Sequence, residues 1–527
     1  MDYSTRVKFE KKDIAYWSMV AGLVLFILFL HLYRLDELPK GMEVDEVGMA
    51  YDSWCIGNYG VDRYLNSFPV YLNNYGGGQS TMYCYLAVPF LKNAGFSAAM
   101  ARMPGVLFSM LTCIVGFDLI RKVRGKLAAL IYLFLFAALP YFTQSGRIAL
   151  DCNLMLGCTV VILYILEFCL RQGERLWPYV LLGVFTGISL YSYALSNMIY
   201  PVFFLLLYPL LLVGGKRISW KQILVFFIPA FVIAIPLILV QVVNIAKTQN
   251  MMIGPLTIPR IDFYRLTEIS IHEVRPNIGW IFRSLFTADN QEFDSFPQFG
   301  ALYMISLPMI IAGFVITFRR SVKSIREKRI SFETIILFYT IIMMAFALVL
   351  LGVTTYRINA VFFGLTYLIM VPIEACFTAE KNKKAFMAAG IVLVAAYTLY
   401  AGAFLSYYFT RYEKDYYPQR LFAENPKEVY EFLEGQSEEI KSRLTYVGGV
   451  NEAYAYFLLA MKISPYDYDV KELGNNGDGK KYLFYAPEPY DTGANYCFYL
   501  PDADTDKAMT ELGFIAHDLG PYRVYIY

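Results

Sequence analysis

Long apolar runs recur along this chain, and the basic clusters between them fall at every second boundary. A helix of about 20 apolar residues crosses a bilayer because lipid offers its backbone N–H and C=O groups no other partner. Eleven such runs are read: Ile14–Leu32, Ala98–Ile120, Leu127–Phe142, Cys152–Leu170, Pro178–Leu195, Met198–Val213, Ile223–Val243, Ala301–Phe318, Thr334–Val353, Ala360–Phe377 and Ala385–Tyr408. Arg6, Lys8, Lys11 and Lys12 precede the first, and Arg121, Lys122, Arg124 and Lys126 follow the second. Arg171 and Arg175, Lys216 and Arg217, the stretch Arg319–Arg329, and Lys381, Lys383 and Lys384 mark later returns. With eleven crossings all of these lie on one side, so the positive-inside rule puts the N-terminus in the cytoplasm and the C-terminus outside. Ile14–Leu32 is long for a signal-peptide core and no small-residue cleavage site follows, so it reads as a span.

Only 17% of residues are charged, against roughly a quarter in a soluble protein. A net charge of +2 without a basic face gives no sign of a nucleic-acid partner. The eight cysteines are scattered, mostly in apolar runs and without a C-x-x-C, so they read as small core residues; a Cys55–Cys84 bridge is the alternative.

The expected fold is thus a polytopic α-helical bundle, residues 1–408, with outer loops at 33–96 and 246–297. Residues 409–527 form a small extracytoplasmic α/β domain. In the first loop, Met82–Leu91 is apolar but too short to cross and is expected in the interface. The second is polar, with Asp262, Glu268, His272, Glu273, Arg275, Asp289, Glu292 and Asp294. After Thr410 the periodicity predicts helices at Pro426–Glu434 and Ala453–Met461. Strands are expected at Leu444–Val447, Tyr482–Ala486, Tyr496–Leu500 and Tyr522–Tyr527, with a turn at Asn475–Gly479.

The candidate chemistry gathers on the outer face. Pro39–Asp52, PKGMEVDEVGMAYD, sets Asp45 and Glu46 at the mouth of the first span, where an acid pair can move protons, steer cations, or simply be hydrated. Arg147 and Asp151, in SGRIALD, and Arg357, in TTYRIN, lie in outer turns. Arginine suits phosphate, since its fork donates paired hydrogen bonds and stays charged. Arg147 also fits a snorkelling arginine paired to Asp151, and Arg357 an interfacial anchor. Asp62, Arg63 and Tyr64 sit in YGVDRY, where Asp62 and Arg63 read as a substrate site or a local ion pair. His272 and Glu273 read as substrate contacts or loop residues. Tyr75–Ser80, YGGGQS, lacks the lysine of a P-loop and reads as a flexible turn.

These outer motifs resemble the GT-C glycosyltransferases, in the group of protein O-mannosyltransferases and lipid A aminoarabinose transferases. The likeness is carried by LYRLDELPKGMEVDE, GVDRY, the second span's start at Met100–Pro104, and SGRIALD, within roughly Ile14–Tyr408. It implies transfer of a sugar from a polyprenyl-phosphate donor to a protein, lipid or wall-polymer acceptor on the outer face. Asp45 would be the base, Glu46 would tune it or bind acceptor, and Arg147 and Arg357 would hold the phosphate. Several relatives carry His-Pro-Pro or Glu-Lys-Pro-Pro where Gly78-Gln79-Ser80 stands here, so no metal ligand is carried over. A divalent cation is left open as cofactor. A plasma membrane is the expected location, and a bacterial host fits the lack of a retention signal at Tyr522–Tyr527.

Two other classes stand beside this one. A flippase or transporter for a lipid-linked sugar predicts ionisable groups along a pathway through the spans, where Asp118, Glu167 and Glu374 are the main examples. A membrane scaffold with a partner-binding outer domain leaves the first-loop motif unexplained.

Overall fold

The computed structural model describes residues 11–261, 269–287, 293–468 and 481–527. Arg6, Lys8, Asp262, Glu268, Asp289, Glu292 and the expected turn at Asn475–Gly479 lie outside the described residues.

Among the described residues, eight helices are long and apolar enough to cross a membrane. They are α1 (Lys11–Leu32), α4 (Ala98–Arg124), α7 (Cys152–Gln172), α9 (Ser196–Val213), α10 (Trp220–Ile245), α13 (Phe332–Val349), α14 (Val361–Thr378) and α15 (Lys383–Thr410). The other three expected spans are helical but short of that standard. α5 (Lys126–Ala138) and α8 (Trp177–Ser189) have 13 residues each, about 20 Å of helix against a hydrocarbon core of about 30 Å. α5 stops because Leu139, preceding Pro140, takes extended backbone (φ −80°, ψ 133°); a second short helix, α6 (Pro140–Ser145), follows it. α12 (Ser306–Arg326) begins later than expected and turns basic over its last two turns, with Arg319, Arg320, Lys323 and Arg326. α14 is the most enclosed candidate span and α10 and α15 the least, so the bundle core runs through α4, α5, α7 and α14 while α10 and α15 face outward.

The first loop folds onto the end of this bundle where α1 stops and α4 starts. It holds α2 (Val44–Tyr59), a hairpin of β1 (Leu72–Asn74) and β2 (Gly77–Gln79), and α3 (Met82–Asn93). α2 is fixed by a reciprocal capping box: the Asp45 N–H donates to the Glu43 carboxylate (2.7 Å) and the Glu43 N–H to Glu46 (2.9 Å). Gly60, at φ +74°, closes its other end. Tyr75–Ser80 is not a loose turn. Tyr75 and Gly76 both take positive φ (52° and 80°), the geometry of a two-residue hairpin. A Cβ on Gly78 would sit 2.4 Å from the Tyr71 ring, so the close packing here requires glycine. The second loop contributes a hairpin of β3 (Met251–Ile253) and β4 (Leu256–Ile258), then α11 (Val274–Phe286).

Beyond α15 come α16 (Tyr416–Leu421), α17 (Lys427–Glu434), α18 (Glu438–Ser442), α19 (Ala453–Ala460) and α20 (Ala503–Glu511). They pack around five strands, β5 (Thr445–Gly448), β6 (Tyr482–Leu483), β7 (Asn495–Tyr499), β8 (Ile515–Leu519) and β9 (Tyr522–Ile526), in the order β6-β5-β7-β9-β8. β5 pairs in parallel with β6 and β7, and β9 runs antiparallel between β7 and β8. This extension shares one apolar core with the first loop: Val47, Tyr51 and Cys55 of α2 pack with Tyr454, Leu458 and Val447. Tyr51 donates to the Ile463 carbonyl (2.8 Å) and Tyr456 to that of Met42 (2.9 Å). All eight cysteines are free, Cys55 and Cys84 among them.

Candidate active site

Three acids fall within four residues at the start of α2, and the fold separates their roles. Glu43 and Glu46 close the capping box. Burial, with Asp45 and Glu46 close by, pushes the Glu43 carboxyl well above the usual range. Glu46 is fully buried and forms an ion pair with Arg102 (3.0 and 3.2 Å), while accepting the Ala149 N–H (2.6 Å). Asp45 alone of the three lines a cavity, of about 170 Å³.

Six stretches wall that cavity. Asp45 comes from α2, and Asn74, Gly78 and Gln79 from the first hairpin. Leu150, Asp151 and Cys152 lead into α7, and Tyr193 and Ala194 lie between α8 and α9. Phe293, Tyr356 and Arg357 complete it from the later loops. Asp151 caps α7 by accepting the Cys152 N–H (2.8 Å), and it accepts the Ser80 N–H (3.0 Å), so it ties the hairpin to the bundle. Arg357 is half-buried and donates to the Leu351 carbonyl (2.7 Å). Two residues on, Asn359 donates to the Cys152 carbonyl, which pins the Arg357 turn against the start of α7. Burial raises the pKa of the Tyr356 hydroxyl; Arg357 opposes the shift and Asp45 adds to it, so both charges act at that phenol. Asp294, a buried acid, acts with Asp45 and Asp151 at Cys152.

The cavity therefore brings together Asp45, Asp151 and Arg357. It does not include Glu46, Asp62, Arg63, Tyr64, Arg147, His272 or Glu273. Arg147 is fully buried and donates to five backbone carbonyls, those of Leu30, His31, Tyr33, Arg34 and Leu38, at 2.6–3.2 Å. Arg102, besides Glu46, binds the carbonyls of Leu35, Pro39 and Gly41. These two arginines satisfy the carbonyls that the end of α1 and the loop after it would otherwise bury without partners.

Arg63 pairs with Asp52, eleven residues back, and not with its neighbour Asp62 (Arg63 Nη2 to Asp52 2.8 Å). Asp62 instead shapes a turn, accepting from the Tyr64 and Asn66 backbone N–H groups and the Asn66 amide, each at 2.9 Å. Burial and the Asp52 charge push its pKa up to about 7, against those hydrogen bonds. Tyr64 lies against Tyr454 of the C-terminal extension. His272 is exposed and Glu273 half-exposed, in a short 3-10 turn, Ile271–Glu273, that leads into α11.

Sequence reasoning did not single out Asn74, Gln79, Tyr193 or Tyr356. Asn74 stands just before the YGGG turn signal and Tyr356 beside Arg357, the two cues available. Two carboxylates share the cavity. Among the described residues no group of three or more His, Cys, Asp or Glu side chains gathers at metal-binding distance. A larger cleft, about 810 Å³, lies between residues 34–42 and the C-terminal extension. Five of its charged groups pair with one another, in Arg34–Glu37, Arg34–Glu413 and Lys40–Glu424.

No protein-family model and no curated protein sequence matches the chain. Solved structures do. ArnT from Cupriavidus metallidurans in the apo state superposes with a TM-score of 0.57 at 11% identity, over 98% of each chain. The same protein bound to undecaprenyl phosphate gives 0.54 at 12% identity, over 97% of this chain and 98% of that one. The archaeal oligosaccharyltransferase AglB from Archaeoglobus fulgidus, in complex with an inhibitory peptide and a dolichol-phosphate, gives 0.51 at 13% identity, over 86% of this chain and 64% of that one. At such identities the likeness is one of fold, and the helical bundle with its small β-rich C-terminal extension accords with a GT-C-like architecture.

Proposed function

We propose that this chain is a membrane glycosyltransferase that moves a sugar from a polyprenyl-phosphate donor to a hydroxyl acceptor on the outer face of the membrane. The observation that carries this reading is the single cavity shared by Asp45, Asp151 and Arg357, each from a different part of the chain. The fold likeness to a protein bound to undecaprenyl phosphate and to another in complex with a dolichol-phosphate supports it. In this reading the N-terminus is cytoplasmic, α5, α8 and α12 also cross, and residues 409–527 are an outer domain.

In the transfer, Asp45 accepts the proton of the acceptor hydroxyl as its oxygen bonds to the sugar's anomeric carbon. The bond from that carbon to the phosphate oxygen breaks, and the polyprenyl phosphate leaves with the electron pair. Arg357 holds the phosphate through charge-assisted hydrogen bonds, which strengthen as charge develops on it. Asp151 orders the hairpin and contributes a second carboxylate to the wall. Glu46 and Arg102 hold the α2 start that carries Asp45, and Arg147 holds the end of α1 and the loop leading to it.

A flippase reading finds less support. Asp118 and Glu167 pair with basic residues of their own helices, Arg121, Lys122 and Arg171, and Glu374 pairs with Arg124 (2.6 Å). All lie at the helix ends carrying the basic clusters, not along a path. The test is transfer by purified protein from a panel of polyprenyl-phosphate sugars, with release of polyprenyl phosphate measured. Transfer lost in Asp45→Asn, with donor binding kept, is the expected result. Wild-type protein that moves lipid-linked sugar across vesicles and transfers none would replace this reading with the flippase.

A further inference from the structure

The cavity acid is tied to a buried chain of polar groups that begins and ends on one face of α2. Asp45, Gly48 and Asp52 follow at spacings of three and four, which stacks them along one side of the helix. Asp52 binds Arg63 through both carboxylate oxygens (2.8–3.1 Å) and also accepts the Arg63 backbone N–H (2.9 Å). Arg63 Nη2 donates to Asn74 Oδ1 (3.1 Å), and Asn74 Nδ2 donates to Asp45 Oδ1 (2.7 Å). Asp52 and Arg63 are at most 1% exposed and Asn74 9%, so water does little to compete with these bonds.

We propose that Asn74, held in one amide orientation by the Arg63–Asp52 pair, is a positioning residue that aims Asp45 into the cavity and keeps it ionised. The inference rests on the reading of Asp45 as the base. A guanidinium only donates, so the Asn74 atom facing Arg63 has to be its oxygen. The amide nitrogen is then turned to Asp45. The flipped amide would set N–H against guanidinium and oxygen against carboxylate, two repulsions in a buried site. A hydrogen bond to the charged form favours ionisation of Asp45.

Gly48 supplies independent support. A Cβ there would lie 2.5 Å from Arg63 Nη2, 2.7 Å from Asn74 Oδ1 and 2.7 Å from the Tyr75 hydroxyl. The three groups press onto bare helix backbone, at the junction of the relay. The Tyr75 hydroxyl also donates to the Val44 carbonyl (2.9 Å), which clamps the hairpin to the turn carrying Asp45. Other charged or titratable groups acting around Asp45 are Asp151 and Cys152 at the start of α7, and Tyr356 and Arg357 before α14. Tyr193 comes from before α9, Tyr75 from the hairpin, Asp294 from the second loop, and Glu43 and Glu46 from its own turn. None of these changes in the variants used below.

The test is carried out on the full chain in detergent or nanodiscs. Asn74→Leu removes both amide contacts; Asn74→Ser, a small polar replacement that adds no charge beside Asp45, guards against a folding failure. The ionisation of Asp45 is followed by infrared titration, with its band assigned by difference against Asp45→Asn. Transfer kinetics are measured in parallel across pH. In both variants the Asp45 midpoint is expected to rise by about one pH unit or more. The acid limb of the kcat profile should follow, with kcat about 10- to 100-fold lower and donor KM unchanged. Arg63→Lys keeps the charge without the fork that orients the amide, and is expected to lie between these variants and wild type. An Asp45 midpoint at its wild-type value in both folded Asn74 variants would overturn the inference whatever transfer does. A moved midpoint, combined with full transfer by Asp45→Asn, would uphold the positioning of Asp45 and overturn its role as base.

Discussion

The first turn of α2 separates two constellations made from the same residue types, acid and arginine. On one side Glu46, Arg102 and Arg147 are fully buried; Glu46 pairs with Arg102, and the two guanidinium groups donate to carbonyls of residues 30–41. On the other, Asp45 and Arg357 line a cavity, and Arg357 is half-buried. Where the charges are wholly enclosed by the protein they fix a loop; where they also line a cavity, the proposed reading gives them a ligand. Adjacent residues, Asp45 and Glu46, fall on opposite sides of that division because successive helical positions point about 100° apart.

The hardest test of the division is Arg102→Leu. It leaves Glu46 buried without its cation and three carbonyls without a donor, a loss of about 3–5 kcal/mol for the pair alone. Folded protein recovered from membranes should fall severely, as read by size-exclusion profile and thermal unfolding. Normal recovery would show that the anchor is dispensable. Asp45→Asn is the counterpart across the turn. It should fold with a melting temperature close to wild type and lose about 10²- to 10⁴-fold in transfer rate. A variant that instead unfolds would move Asp45 to the scaffold side.

The physical basis of these roles sets how far the sequence discloses them. Helix existence was legible because an apolar run facing lipid has few alternatives, and all eleven runs are helical in whole or part. Helix length was less so: Pro140 ends α5 within a run that hydropathy alone carries on to Phe142. In the C-terminal extension, β5, β7 and β9 follow apolar patterning, while β8 is an edge strand with mostly exposed residues and offers no such pattern. The meeting of Asp45, Asp151 and Arg357 was legible through the expected topology, which puts all three on one side of the spans. The fate of Arg147 was not. Its acceptors lie more than a hundred residues away, and a guanidinium fits carbonyls or phosphate equally well. For Arg63 the adjacent Asp62 is the obvious partner in sequence, yet that side chain is occupied by its own turn.

A smaller effect is expected from Arg357→Ala. Loss of a charge-assisted contact to phosphate costs about 1.5–3 kcal/mol, which is a 10- to 100-fold rise in donor KM with folding intact. Donor binding measured directly, with the sugar-free polyprenyl phosphate as competitor, reads it. An unchanged KM would leave Arg357 as a structural residue of its turn and dissolve the contrast with Arg147.

The mildest test concerns Asp62, which adjoins the Arg63 relay without facing the cavity. Its folded pKa of about 7 stands above the ordinary carboxylate value of 3.8. The folded protein therefore holds a proton that the unfolded chain releases between those values. The stabilisation from keeping Asp62 neutral is complete below about pH 4 and is lost as pH rises through about 7, at most about 1.4 kcal/mol per pH unit. Asp62→Asn keeps the acceptor for the Tyr64 and Asn66 N–H groups and removes the titration. It should be the less stable form at pH 5, where it lacks the bond to the Asn66 amide, and should close the gap by pH 8. Thermal unfolding of both proteins across that range checks this. Parallel curves would mean that Asp62 stays ionised in the fold, with the three donors of its turn outweighing burial. Convergence with unchanged transfer kinetics would assign Asp62 to the scaffold, although it adjoins the Arg63 that holds Asn74.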